Sequence, residues 1–231
     1  MAGRPAKLEQ VKKKFLDEVV SARNLTDAIY ALPKKINPKV VTVGIHPKHE
    51  TKIVELAFIG LIAAWEEFLE RTLVRYVAGA MTESGYAPIP KFGLAINIGH
   101  AYQILTQDSK YDPQKQYLKG NDAKWVWSSA DFFFSTHTYS CLSSKNNLLL
   151  HATAIRNRIA HDSEKCKSDF KSTAIDFLHP TGGKLKQSYG PGNLLMAKVA
   201  RHFSQSAIDR GLTHFRAYTD LFESLAKTIV P

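Results

Sequence analysis

The stretch TKIVELAFIGLIAAWEEFLERTLVRYVAGAM, residues 51–81, restricts the folds open to this chain more than any other segment. From Ile53 to Trp65 it is apolar nearly all round, and a helix of that composition must be covered on most sides. From Glu66 onward it turns amphipathic. Phe68, Leu69, Leu73, Tyr76 and Val77 then form an inner stripe, and Glu67 and Arg71 form an i,i+4 pair on the outer face. The longest unbroken apolar run, LAFIGLIAAW, has ten residues. A bilayer span needs about 20, so this helix is read as a buried element of a folded domain.

Other segments carry the same helical period. In LEQVKKKFLDEVVSARNLTDAIYAL (8–32), Val11, Phe15 and Val19, then Leu25, Ile29 and Leu32, recur at helical spacing. PKKINPKVVTVGIHPKHE (33–50) breaks that helix with prolines and reads as a linker or basic loop, with a short strand expected at VVTV. Residues 82–94 form a turn-rich loop. AINIGHAYQILTQ and DAKWVWSSADFFFSTHTY read as short helices joined by a polar, lysine-bearing loop. A further strong helix is expected from about Ser143 to His161. LHPTGGKLKQSYGPGN (178–193) is a loop, and 194–229 a closing helix or helix pair. The expected fold class is all-α, with no clear domain boundary.

The 231 residues, 44% of them hydrophobic, suit one large domain, residues 1–231, and exclude a disordered chain. Lysine and arginine number 31 against 21 acids, a formal charge of +10. That balance points to a polyanionic partner, either nucleic acid or an anionic membrane surface, without deciding between them. Two cysteines, Cys141 and Cys166, form no disulfide framework or CxxC motif and suit a reducing, cytoplasmic setting. The basic N-terminus is not followed by the apolar core of a secretory signal.

The segment AIRNRIAHD (154–162) ends a core-type helix with Arg156, Asn157, Arg158 and His161. In a chain with nine histidines, an Arg-x4-His spacing arises by chance, so its context decides. The pairing RNRIAH, together with LIAAWEEFLERTL earlier in the chain, resembles the HEPN superfamily, and within it the bacterial RiboL-PSP-like group. The resemblance covers these two helices. Residues 82–142 lie outside it and are a candidate insertion of loops and short helices. Asp162 departs from the small residue expected after the histidine.

The resemblance implies a HEPN-like helical bundle and a metal-independent endoribonuclease without a cofactor. Arg156 would face phosphate, Asn157 would position it, and His161 would transfer protons. It also implies a homodimer with facing motifs, a toxin–antitoxin or antiviral defence role, and an antitoxin or other defence protein as partner.

The chemistry is coherent in its own right. RNA supplies its own nucleophile, the ribose 2′-OH. Cleavage needs a base for that proton, an acid for the leaving 5′ oxygen, and a cation for charge building on phosphorus. Histidine titrates near neutral pH, and arginine offers phosphate a planar fork of donors. Five residues of ideal helix turn through about 500°, which sets Arg156 and His161 about 140° apart. Either the helix ends at His161, or a two-fold dimer places two motifs in one cleft. The dimer is favoured.

Arg158 flanks the motif as a candidate phosphate contact. Lys110, Lys115, Lys119 and Lys124 alternate with Tyr111, Tyr117, Trp125 and Trp127, a mixture suited to single-stranded RNA, although solvated lysines over partly buried rings fit equally well. Glu66 or Glu67 could orient Arg156 or Arg158, or could be ordinary helix-surface carboxylates. His151 reads as a polar-face histidine. His46 and His49 lack further metal ligands, and TGGK near residue 183 is not a P-loop. Two other readings remain open: a non-catalytic HEPN module that binds nucleic acid or a partner protein, and an assembly protein.

Overall fold

A computed structural model describes residues 7–34, 44–179 and 181–231. The elements are α1 (Leu8–Ala31), α2 (Pro47–Val77), β1 (Ile89–Pro90), α3 (Ile98–Thr106), α4 (Ala123–Phe133), β2 (Phe134–Thr136), α5 (Ser140–Ser143), α6 (Asn146–Ala160), α7 (Glu164–Leu178), a 3-10 turn at Thr181–Gly183, α8 (Pro191–Met196), α9 (Gln205–Asp209) and α10 (His214–Ile229). The fold is all-α: among the described residues 64% is helix, and one small sheet pairs β1 with β2 antiparallel. No helix among the described residues is long and apolar enough to cross a membrane. The strand expected at VVTV, residues 40–43, lies outside the described residues.

The long helices follow their apolar stripes, with corrections at the ends. In α1 the buried series is Leu8, Val11, Phe15, Val19, Ala22 and Thr26, while Leu25 and Leu32 are exposed. Leu25 stands six positions after Val19, about 240° round the helix and off the stripe. Helix α2 starts at Pro47, four residues before the expected start. Proline is favoured at a first helical position, where its missing N–H has no intrahelical partner to lose. The helix stops at Val77 rather than Met81. Gly79 takes a left-handed φ of 80°, and the Ala80 N–H donates to Arg75 O at 2.9 Å, closing the end with a glycine cap. Leu56 is exposed, so the first half of α2 keeps one solvated edge. The helix expected from about Ser143 to His161 begins at Asn146, after the short α5 and a turn, and ends at Ala160. Helix α7 fills a segment that the sequence reading leaves unassigned, and the C-terminal segment holds α8, α9 and α10 rather than one or two helices.

The described residues divide into two compact units. One is drawn from Met1–Asp17, Ala63–Leu149 and Phe222–Pro231, the other from Glu18–Ile62 and Leu150–Leu221. In the first, the rings of Phe15, Trp65, Phe68 and Phe222 meet at centroid distances of 5.0–5.5 Å. Tyr76 and Tyr139 are buried but satisfied. Tyr76 donates to Ile229 O at 2.9 Å and Tyr139 to Thr72 Oγ1 at 2.8 Å, as buried hydroxyls require. The candidate insertion, 82–142, falls in this unit.

In the second unit Phe177 is the hub. It stacks on Phe203 at 6.0 Å and meets His151, His202 and His214 edge-on at 4.8, 5.3 and 4.9 Å. Arg23 ties α1 to α10, with Nη2 2.6 Å from Asp220 Oδ1 and Nε donating to Thr219 Oγ1 at 2.9 Å. Helix α8 lies directly on α2: a Cβ at Gly192 would sit 2.6 Å from Thr51 O. The Gly192 N–H donates to Glu55 Oε1 at 3.0 Å, filling one of the donors that a helix N-terminus leaves open.

Candidate functional site

The motif segment belongs to the second unit and occupies a sharp junction between two helices. Helix α6 ends at Ala160, and the His161 N–H still donates to Asn157 O at 2.8 Å. Ser163 then caps α7, its Oγ accepting from the Cys166 N–H, the usual work of a serine just ahead of a helix. Only His161, Asp162 and Ser163 join the two helices. The helix therefore ends where His161 begins, and that residue is the first released from the helical path. Its side chain is exposed, while Arg156, Asn157 and Arg158 are half-buried.

Arg156 Nη1 donates to Asn157 Oδ1 at 2.9 Å. Asn157 thus acts on the orientation of the guanidinium. Arg158 bends the other way: Nη1 donates to His161 O at 3.2 Å and lies 2.9 Å from Asp162 Oδ1. A cation bonded to a terminal carbonyl satisfies an orphan acceptor and complements the helix dipole. Arg158 is thereby a cap of α6 as well as a cation at the junction. Asp162 also meets Lys167 Nζ at 3.5 Å. Asp162 is thus engaged by these two cations.

The other sequence-derived candidates are placed as follows. Lys110, Lys115, Lys119 and Lys124 are all exposed and belong to the first unit. Lys115 pairs with Asp112 at 3.4 Å. Tyr111 among their interleaved rings is buried, stacked on Tyr102 at 5.5 Å, whereas Tyr117 is 98% exposed. Glu67 is taken up by Lys14 at 2.9 Å and Arg71 at 2.7 Å, and Glu66 is half-buried beside it on α2. His151 does not lie on a solvated face. It packs on Phe177, with Nε2 3.5 Å from Asp176, and burial lowers its pKa, opposed by Asp176.

Among the described residues no three His, Cys, Asp or Glu side chains group as a metal site. The His46 and His49 rings are 5.8 Å apart, but His46 Nδ1 accepts from the Lys48 N–H. Burial pushes the Cys141 thiol up to about 11, which keeps it protonated and poorly nucleophilic at neutral pH.

Arg158 also forms one wall of a groove of about 470 Å³ bounded by α7 and the 184–189 segment, which the sequence pattern does not predict. Its signal is present in the Lys-x-x-x-Lys spacing of 167–171 and in the KLK of 184–186, but neither segment alone indicates that they meet. Comparisons with protein-family models, curated proteins and solved structures return no match.

Proposed function

We propose that the protein is a metal-independent endoribonuclease that cuts RNA by attack of the 2′-OH, leaving a 2′,3′-cyclic phosphate and a 5′-hydroxyl. The observation that carries this reading is the α6–α7 junction. There an exposed imidazole at the end of the helix follows a guanidinium held by the neighbouring Asn157. In this reading Arg156 stabilises charge on the phosphate, Asn157 positions Arg156, and His161 moves the proton. Two proton transfers are needed, from the 2′ oxygen and to the 5′ oxygen. A homodimer with facing junctions would supply one histidine for each. A toxin or defence role, silenced by a partner protein, belongs to the same proposal.

The test uses purified protein, RNA and EDTA. Cleavage should persist with chelator present and fall by roughly 10²–10⁴-fold in His161→Ala, the range that one positioned proton-transfer group supplies. An RNA with hydrogen in place of the scissile 2′-OH should survive intact, and cutting at that position would eliminate the mechanism. Mixing Arg156→Ala with His161→Ala protein should restore part of the activity where a cleft is shared between subunits. Binding without cleavage in wild type and mutant alike would leave a nucleic-acid-binding module, which the cationic groove also suits.

A further inference from the structure

The groove beside the junction is lined by Arg158 from α6, Lys167 and Lys171 from α7, and Lys184 and Lys186 from the segment before α8. Among the described residues no carboxylate lines it. Arg158 and Lys167 are partly neutralised at one end by Asp162 and Glu164. Lys171, Lys184 and Lys186 make no ion pair among the described residues. Lys167 and Lys171 stand four apart on one helix face, a like-charge spacing that costs stability unless an anion lies between them. Two segments well apart in sequence thus aim cations at one concavity, and its volume falls within the ~300–1,000 Å³ usual for ligand sites.

The rest of the lining adds rings to charge. Phe170 forms a buried floor, and Tyr189 stands half-buried at the wall. Tyr189, like any tyrosine near neutral pH, is an uncharged donor that does not repel phosphate, and burial pushes its phenol further up, to about 12. Cations that track a backbone, beside aromatic faces that accept any base, are the features by which proteins hold single strands. Of the two rings Tyr189 is the one open to a base, and a duplex would hide its base faces from it.

We infer that this groove, walled by α7 and residues 184–189, binds the backbone of a single-stranded RNA segment and leads it to the α6–α7 junction. The inference rests on the ribonuclease reading for its choice of RNA, and the geometric link is Arg158, which lines the groove and bonds the His161 carbonyl. It also moves the main RNA-binding surface away from the lysine-rich loop at 110–124.

Binding is measured apart from cleavage, by fluorescence anisotropy with a short, fully 2′-O-methylated single strand that cannot be cut. The double variant Lys184→Gln/Lys186→Gln should weaken binding at least tenfold at moderate salt. The slope of log affinity against log salt should shrink by about 0.7 for each phosphate that is no longer neutralised. Lys110→Gln/Lys115→Gln should leave both nearly unchanged. Lys171→Gln, on the opposite wall, provides a second reading should the double variant fold poorly, which circular dichroism would reveal. Unchanged affinity and slope in folded groove variants would overturn the proposal. So would equal or tighter binding of the same sequence as a duplex, or a weakening confined to anionic vesicles with RNA binding intact. If the groove variants bind normally while His161→Ala abolishes cleavage, the groove fails and the nuclease stands. If they lose RNA while the wild type never cuts, the groove stands and the nuclease fails.

Discussion

Asp162 shows how much a single side chain alters the candidate site. It is the one acid in the 154–162 segment, and it holds Arg158 at 2.9 Å. The carboxylate is 78% exposed, so the pair is worth little to the fold, about 0–1 kcal/mol. In the proposed ribonuclease reading its larger effect would be electrostatic, since it cancels positive charge at the junction. Asp162→Asn should therefore leave thermal stability nearly unchanged and tighten RNA binding several-fold at low salt, with the gain fading as salt is added. A large loss of melting temperature would show that Asp162 supports the α6–α7 turn structurally instead. The importance of residue 162 is legible as an oddity of sequence. Its i,i+4 spacing from Arg158 is legible too, but its contact with Lys167 is not, because Lys167 reaches it only once α7 has formed.

At the scale of elements, the molecule turns on close approaches and helix ends. Helix α8 has only six residues and little stability of its own. It is held by Gly192 against Thr51 of α2 and by Glu55 accepting from the Gly192 N–H. Gly192→Ala would push a methyl group to 2.6 Å from a backbone oxygen. Overpacking of this kind costs about 1–3 kcal/mol. The urea midpoint should fall accordingly with the m-value unchanged, and an unaltered midpoint would mean that α8 can slide without cost. The amphipathic halves of α1 and α2 are readable because helical period is a local property. Helix α7 is hidden from such a reading. Its buried apolar positions, Phe170, Ala174 and Phe177, are outnumbered by polar and charged neighbours, and its start depends on Ser163 as a cap rather than on a hydrophobic run.

Across the whole molecule, charge and pH act through groups that burial has changed. His214 is fully buried, its Nδ1–H donating to Ala197 O at 2.9 Å, while its Nε2 finds no partner among the described residues. Burial lowers the pKa of His214 and of His151, with Asp176 opposing the shift at His151. A histidine whose folded pKa is depressed stabilises the fold fully above its unfolded value, near 6.5. That contribution is lost as pH falls from there through the folded pKa, because the unfolded chain binds the proton more readily. Melting temperature should thus decline between about pH 7 and 5.5, before most carboxylates titrate. His214→Gln should flatten that decline, and a profile equally steep in the variant would remove His214 from the account.

What the sequence determined by itself was the helical class, the basic character and the place where α6 must deliver Arg156 and His161 to its end. These depend on residue type and on spacing within one or two turns, and i→i+4 hydrogen bonding makes such spacing decisive. The tertiary structure alone decided that Lys171 of α7 and Lys184 and Lys186 beyond it share one groove with Arg158, and that His151 rests on Phe177 rather than facing water. Those outcomes depend on which distant segments pack together. The burial free energy that selects the packing is summed over a whole core, and no local pattern records the sum.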